Sequence, residues 1–236
     1  MYLARTGNIY SVYIYSAQMS FGRSLMILVI GSIKGGTGKT TIATNLAVLR
    51  SASGKKVLLV DADEQKSTSR WATHRDGSDI PTNWSTIQLG GKALRPQILR
   101  LKIDYDDVII DVGGRETTSM RAAIAVADIC VIPFRPRSLD IWTLDDVKAL
   151  LNEMKPANPL LKAFAVINQA DSKGTDNEET FRILHECEEI KCIKSTIGLR
   201  KSFGNATTDG LGVSEMKIID KKATQEMQDL YDFIYS

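Results

Sequence analysis

Residues 26–41 read M-I-L-V-I-G-S-I-K-G-G-T-G-K-T-T, and this stretch decides the fold class. Its five leading apolar residues predict a short strand that is buried on both faces. Glycines at positions 35, 36 and 38 let the backbone curl so that successive N–H groups point at one anion. A helix predicted from Thr40 adds the positive end of its dipole. The stretch therefore predicts a strand, a phosphate-binding loop and a helix.

Two residues at the end of this loop have the chemistry that a nucleotide requires. Lys39 places a mobile positive charge beside the β- and γ-phosphates, and the Thr40 hydroxyl is a ligand for Mg²⁺. The pattern G-x-x-x-x-G-K-[ST] is not met strictly, because Ile33 occupies the place of its first glycine. The alternative is a glycine-rich turn that only joins a strand to a helix. It is disfavoured because the residues and their context agree.

Outside the loop, short apolar runs alternate with helical patterns, which is typical of βαβ units and a parallel sheet. Strands are predicted at residues 26–30, 57–60, 108–110, 129–132 and 164–167, with a weaker one at 86–89. Helices are predicted at 40–50, 67–74, 93–101, 119–127, 144–154, 180–188 and about 221–234. The predicted fold class is α/β, with a single doubly wound, mostly parallel sheet that carries helices on both faces.

Acidic residues follow two of the predicted strands. Asp61 and Asp63 stand in D-A-D-E-Q after strand 57–60, and Asp111 follows strand 108–110. Ligands of open α/β sheets bind at the carboxyl ends of the strands, so these carboxylates should lie beside the phosphates. Asp111 after an apolar strand resembles a Walker B acid that holds Mg²⁺ through a water. Helix capping is the alternative role for Asp61 and Asp63.

Length and composition limit the remaining possibilities. The chain has 236 residues, of which 43% are hydrophobic and 25% charged, and a net charge of +2, which fits one globular domain. This charge is too mild to indicate nucleic-acid binding by itself. No run approaches the ~20 apolar residues that span a membrane. Cys130, Cys187 and Cys192 lack CxxC spacing, which argues against a zinc site and fits a reducing cytoplasm.

Residues 1–25 differ from the rest of the chain, because they contain four tyrosines, Arg5 and Arg23 but no acidic residue. A signal peptide is one interpretation, although tyrosines and serines dilute its apolar region. A flexible extension or an early start codon is the interpretation that we favour. The predicted organisation is an N-terminal extension at 1–25 and a P-loop ATPase domain at 26–236.

The segment K-G-G-T-G-K-T-T resembles the deviant Walker A motif of the ParA/MinD superfamily, and the chain as a whole is similar to the small ParA-type partition ATPases. The resemblance implies ATP and Mg²⁺ as cofactors. It also implies a homodimer that sandwiches two nucleotides, in which Lys34 reaches the phosphates bound by the other subunit. D-A-D-E-Q resembles the D-x-D-P-Q switch of this family, so Asp63 would orient the attacking water, with Glu64 in place of the usual proline.

The same resemblance assigns the remaining site residues. Asn168 matches an asparagine that reads adenine in relatives. Gly113 and Gly114 stand where many relatives carry Thr-Pro-Pro, which predicts a more mobile loop after Asp111. The implied catalytic residues are Lys34, Lys39 and Asp63, and the implied metal ligands are Thr40 and, through water, Asp111. The implied nucleotide contacts are Gly35, Gly36, Thr37, Gly38, Lys39, Thr40, Thr41 and Asn168.

The C-terminal part also resembles ParA-type proteins, in the pattern I-x-x-R-x-x-(aromatic) that begins at Ile197. Residues 132–140 resemble a loop that closes over the dimer interface. In this family the arginine region binds duplex DNA without sequence preference, which implies one basic strip of Lys191, Lys194, Arg200 and Lys201. A solvated charged face is the alternative. The resemblance further implies a ParB-type partner, no membrane contact and a cytoplasmic, nucleoid-associated protein.

Several alternatives share the phosphate loop. A MinD-like membrane-cycling ATPase would need a basic amphipathic C-terminal helix, but Glu226, Asp229 and Asp232 make this end acidic. A nitrogenase-type reductase would need cysteines between subunits, whereas Cys130 falls inside a predicted strand. A bacterial tyrosine kinase and an ATP-dependent ligase similar to dethiobiotin or cobyrinic acid synthetases are further alternatives. ParA relatives that position carboxysomes or other cargo stay open as well.

Overall fold

Seven strands form one sheet in the computed structural model of the chain. They are β1 (Met26–Ile30), β2 (Val57–Ala62), β3 (Trp84–Gln88), β4 (Asp107–Val112), β5 (Ile129–Phe134), β6 (Lys162–Ala170) and β7 (Lys191–Gly198). Their order across the sheet is β3-β2-β4-β1-β5-β6-β7, and each of these pairings is parallel. The sheet that the sequence predicts as mostly parallel is therefore fully parallel among the described strands.

The structure describes residues 25–77, 80, 82–114, 117–136, 142–173 and 175–236. Apart from Leu25, the extension predicted at residues 1–25 lies outside these ranges. The second half of the predicted interface loop, residues 137–140, lies outside them as well.

Alternate side chains of each strand enter two separate cores. In β1, Ile27 and Val29 belong to one core, and Leu28 and Ile30 belong to the other, because successive strand residues point to opposite faces. The first core is covered by α3 (Leu94–Leu101), α4 (Thr118–Ile124), α5 (Leu144–Met154) and α6 (Asp176–His185). The second core is covered by α1 (Lys39–Ala52), α2 (Ser67–Asp76), α7 (Lys201–Thr208) and α8 (Lys221–Tyr235). Helices on both faces confirm the doubly wound α/β fold.

The six predicted strands are present, whereas β7 and α7 were not predicted. Strand β7 reads K-C-I-K-S-T-I-G and lies at the edge of the sheet, where only Ile193 and Ile197 are buried. Exposed lysines are typical of an edge strand, because they discourage pairing with another chain. The two lysines interrupt the apolar run by which the other strands were predicted from the sequence. Helix α6 also begins earlier than predicted, at Asp176 instead of Thr180.

The parallel register brings the ends of three central strands to one level. Ile30 of β1 pairs with Asp111 of β4, and Asp61 of β2 pairs with the same Asp111. The phosphate loop leaves β1 at this level, so it begins beside both carboxylates. None of the helices in the described ranges is long and apolar enough to cross a bilayer.

Candidate functional site

The loop between β1 and α1 curls around its own backbone as the glycines predict. Gly36 and Gly38 have φ angles of +75° and +88°, in the left-handed region that side chains other than glycine rarely adopt. Lys39 opens α1, and its Nζ donates a hydrogen bond to the Lys34 carbonyl oxygen at 3.1 Å. Lys39 is buried, and burial lowers the pKa of its ammonium group, against the attraction of Asp111 and Asp63. The loop thus holds a desolvated cation at its centre.

Asp111 lies at the base of the site with two hydroxyl groups on one of its oxygens. Thr40 Oγ1 donates to Asp111 Oδ2 at 2.6 Å, and Thr68 Oγ1 donates to the same oxygen at 2.7 Å. The second oxygen, Oδ1, is buried without a hydrogen-bond partner. Burial raises the pKa of Asp111 to about 6, although both hydroxyls and the Lys39 cation favour the charged form. A buried, under-bonded carboxylate beside the Thr40 hydroxyl fits the oxygen ligands that Mg²⁺ prefers.

The acidic loop after β2 lies against the same centre. Asp61 is fully buried, and its two oxygens accept hydrogen bonds from the backbone N–H groups of Asp63 and Ser69 at 3.2 and 2.7 Å. Asp61 therefore fixes the loop and the start of α2, which matches the capping alternative for this residue. Asp63 is only half-buried, and its Oδ1 accepts from the Gln65 N–H at 3.0 Å. Of the two aspartates, Asp63 is the one that faces the cavity.

Gly113 and Gly114 pack closely against the other loops of the site. A Cβ atom at Gly113 would lie 3.1 Å from Asp63 Oδ1, and one at Gly114 would lie 2.7 Å from Gly35 Cα. The second distance is shorter than a side chain tolerates. Gly114 therefore has a steric role that the sequence-based expectation of a mobile loop did not include, since its missing side chain lets the loop after β4 touch the phosphate loop.

Two amide side chains at the end of β6 contact the backbone of the phosphate loop, and Gln169 also lines the cavity. Asn168 Nδ2 donates to the Thr37 carbonyl oxygen at 2.6 Å, and Gln169 Nε2 donates to the Gly36 carbonyl oxygen at 3.0 Å. Asn168 is buried. Its observed partner is thus the loop backbone, and the adenine contact stays a prediction.

These groups surround a cavity of about 680 Å³ at the carboxyl edge of the sheet. The predicted residues in its wall are Gly35, Gly36, Gly38, Lys39, Thr40, Thr41 and Asp63. Thr37 and Asp111 are buried in the same loops, and Lys34 is half-buried at the start of the glycine run. Two residues of the site were not predicted from the sequence. Thr68 donates a hydrogen bond to Asp111, and Gln169 donates one to the phosphate loop. Neither stands in a motif, and only the folded chain brings them to the site.

The predicted DNA-binding residues lie apart from this cavity. Lys191 and Lys194 are exposed on β7, and Arg200 and Lys201 follow beyond its carboxyl end. At about 3.3 Å per strand residue, the four residues extend over roughly 25 Å along the sheet edge. Arg200 donates to both carboxylate oxygens of Glu226 in α8, at 2.9 and 2.5 Å. The strip is therefore elongated, and its arginine is held in an ion pair within the fold.

A family model matches residues 28–213, which include the loop, both acidic segments and most of the sheet. It describes the CobQ/CobB/MinD/ParA nucleotide-binding domain. The chain belongs to this family. The ParA/MinD resemblance of the sequence is thereby confirmed, and the matched residues include the glycine loop and the acidic segments that line the cavity.

Proteins similar to the chain include a carboxysome distribution protein, a ParA protein and a plasmid partition protein. The chain is 36% identical over 188 residues to the maintenance of carboxysome distribution protein A of Gloeobacter kilaueensis, covering 78% of this chain and 82% of the relative. It is 30% identical over 115 residues to the protein ParA of Rhizobium radiobacter, covering 48% and 50%. A plasmid partition protein from Borrelia burgdorferi, solved with AMPPNP, superposes with a TM-score of 0.72 at 21% identity and covers 89% of this chain and 98% of its own.

Proposed function

We propose that the chain is a Mg²⁺-dependent ATPase of the ParA type that segregates DNA. In this proposal the ATP-bound homodimer binds duplex DNA without sequence preference, and a ParB-type partner stimulates hydrolysis. The observation that carries the ATPase part is the arrangement around Asp111, where Thr40, the Lys39 ammonium and an under-bonded carboxylate oxygen meet beside a glycine loop. A cytoplasmic, nucleoid-associated location follows from the DNA contact.

In this proposal the residues of the cavity have separate roles in phosphoryl transfer. Lys39 and the N–H groups of residues 35–41 would neutralise the β- and γ-phosphates. Thr40 and, through water, Asp111 would hold Mg²⁺, which neutralises developing charge when bound. Asp63 is the acid in the cavity wall, so it would orient the attacking water. Asn168 would contact adenine with the part of its amide that Thr37 leaves available.

Lys34 supports the dimer part of the proposal. Lys34 is half-buried at the start of the glycine run, and its backbone carbonyl accepts the hydrogen bond from Lys39. A cation in this position could serve the nucleotide of a second subunit, as the family resemblance implies. Slow hydrolysis in the monomer and faster hydrolysis in the stimulated dimer would follow.

The DNA part depends on exposed lysines more than on Arg200. Phosphate contacts need cations that are accessible, and Lys191, Lys194 and Lys201 are exposed, whereas Glu226 already holds Arg200. Dimerisation would bring two copies of this strip together and double the phosphate contacts. We therefore keep all four residues as DNA-binding candidates, with Arg200 fixing the start of α7 against α8.

A second candidate function is the positioning of a cargo other than DNA. The 36% identity to a carboxysome distribution protein favours it, because this relative aligns over most of both chains. Both candidates use the same ATPase and the same DNA surface, and they differ in the partner that stimulates hydrolysis. Co-purification with a DNA-binding partner, compared with a cargo adaptor, distinguishes the two.

The decisive experiment follows dimerisation and DNA binding in one nucleotide series. Light scattering should show a dimer with ATPγS and a monomer with ADP. Fluorescence anisotropy across a salt series should show DNA binding only with ATPγS, with a slope of about −0.9 in log K per phosphate contact. Lys201→Ala should reduce this slope equally for unrelated DNA sequences, and Lys155→Ala, in the turn after α5, is the matched control. Equal DNA binding in both nucleotide states would reject the partition role and favour a metabolic ligase.

A further inference from the structure

Gln169, at the end of β6, has a backbone conformation that side chains rarely adopt. Its φ angle is +56°, and Lys66 is the other non-glycine residue with a positive φ among the described residues. Such strained residues persist where the surrounding structure requires them, and they concentrate at functional sites.

The left-handed residue breaks the alternation of side chains along β6. In a regular strand, Asn168 and Gln169 would point to opposite faces. The pairing of β6 with β7 shifts register between Asn168 and Ala170, at the same place as the left-handed φ. As a result, both side-chain amides reach the same target, the phosphate loop.

The two amides hold two consecutive carbonyl groups of that loop. Asn168 donates to Thr37 O at 2.6 Å and Gln169 donates to Gly36 O at 3.0 Å. The loop lies so close that a Cβ atom at Gly38 would be 2.1 Å from Asn168 Nδ2. Because a peptide group is planar and trans, a carbonyl that is fixed by an amide directs the N–H of the next residue to the opposite side of the chain. The amides therefore orient the N–H groups of Thr37 and Gly38.

We propose that Gln169 is a positioning residue, which pre-orients the phosphate loop before nucleotide binds. The inference rests on the proposed nucleotide-binding role of the loop and adds a residue that no motif assigns. A hydrogen-bond donor is required at this position, because a carboxylate could not donate to a carbonyl oxygen. Glycine would adopt the backbone conformation without strain but would have no donor. Gln169 therefore combines an unfavourable backbone conformation with the hydrogen bond that its side chain donates to Gly36 O.

The test compares wild type with Gln169→Gly in the full chain. Glycine accepts φ of +56°, so the thermal unfolding midpoint should stay unchanged or rise. The affinity for a fluorescent ADP with Mg²⁺ should fall about fivefold, the effect of one neutral hydrogen bond. Hydrogen exchange of the loop amides at residues 36–38 should be faster in the nucleotide-free variant. Gln228→Ala, which removes an exposed amide bonded to Asp232, is the control and should change none of these.

The possible results separate the inference from the function on which it rests. An affinity within about twofold of wild type, or unchanged exchange of the loop, overturns the role of Gln169. A lowered unfolding midpoint together with weaker binding would give Gln169 a purely structural role and overturns it as well. If wild type does not bind ADP, the proposed function fails, while faster loop exchange in Gln169→Gly would still support Gln169 as the residue that positions the loop.

Discussion

The carboxyl group of Asp111 is buried at the base of the site, and its burial disfavours the charged form. The residue is 1% exposed, and burial raises its pKa to about 6, above the ordinary value of 3.8. Folding therefore favours the protonated form of Asp111. At neutral pH the folded protein keeps a charged carboxylate in a place that would prefer a neutral one. Strongly perturbed pKa values of this kind concentrate at functional sites.

We expect Asp111→Asn to stabilise the nucleotide-free protein at pH 7.5 but not at pH 4. The folded pKa is raised, so the contribution of Asp111 to stability is full below pH 3.8 and is lost as the pH rises through about 6. The difference of about two pKa units corresponds to roughly 3 kcal/mol at pH 7.5. Chemical denaturation of both proteins at the two pH values, without Mg²⁺, measures it. An equal effect at both pH values would contradict the prediction.

Asp63 allows the chemical step to be separated from binding. We expect Asp63→Ala to keep nucleotide binding and ATP-dependent dimerisation but to lose most hydrolysis, because orienting a water affects only the chemistry. Lys39→Ala is the contrasting variant and should abolish nucleotide binding. Phosphate release and light scattering report the two properties. Normal hydrolysis in Asp63→Ala would remove this residue from the catalytic assignment.

At the scale of elements, helix α2 connects the acidic loops to the C-terminal part of the chain. At its start, Thr68 donates to Asp111 and the Ser69 N–H donates to Asp61. At its end, Arg75 donates to Gly210 O and to both carboxylate oxygens of Glu215, at 2.5 and 2.6 Å. The rings of Trp71 and Trp84 stack beside this arginine. One short helix therefore links the buried carboxylates of Asp61 and Asp111 to residues 210–215.

We expect the ion pair between Arg75 and Glu215 to be a strong element of stability. Arg75 is 2% exposed, so Glu215→Ala would remove from a buried cation the carboxylate that accepts two of its N–H groups, and should cost about 3–5 kcal/mol of unfolding free energy. Glu153→Ala is the matched control, because Glu153 pairs with Arg121 on the surface. That change should cost less than about 1 kcal/mol. Urea denaturation measures both, and similar losses in the two variants would refute the prediction.

At the scale of the whole molecule, the nucleotide cavity and the basic edge of the sheet belong to one continuous fold. The described sheet and both layers of helices begin with Met26, the first residue of β1. The C-terminal helix α8 closes the second core, and its Tyr231 and Tyr235 contact Arg50 at the end of α1. A bacterial tyrosine kinase would need accessible tyrosines in its tail, whereas Tyr231 and Tyr235 both pack against Arg50, which gives no support to that alternative. Residues from β1, α1 and the C-terminal helix α8 therefore pack in one core.

We expect a chain that begins at Met26 to fold and to bind nucleotide like the full chain. The reason is that β1, the phosphate loop and all buried residues of the two described cores lie from Met26 onwards, while Leu25 only packs against one of them. Circular dichroism and ADP titration of the shortened and full chains provide the comparison. Loss of folding in the shortened chain, or loss of a partner that the full chain binds, would assign a function to residues 1–25.

The sequence alone determined the parts of this protein that local patterns encode. Buried parallel strands are continuous apolar runs, and a phosphate loop needs glycine, lysine and threonine at fixed spacing, so β1, the loop, Asp61, Asp63 and Asp111 could all be predicted. The edge strand β7 could not, because an edge strand keeps polar residues on its exposed side and lacks that pattern.

Only the tertiary structure decided which distant residues support the site. Thr68 reaches Asp111 across 43 residues of sequence, Gln169 reaches Gly36 across 133, and Arg200 is bound by Glu226. These contacts follow from the order of strands and the packing of helices. A hydrogen bond requires a short distance and a suitable angle between donor and acceptor. Thr, Gln and Arg occur throughout proteins, so their presence in the sequence does not indicate which distant residue they will contact.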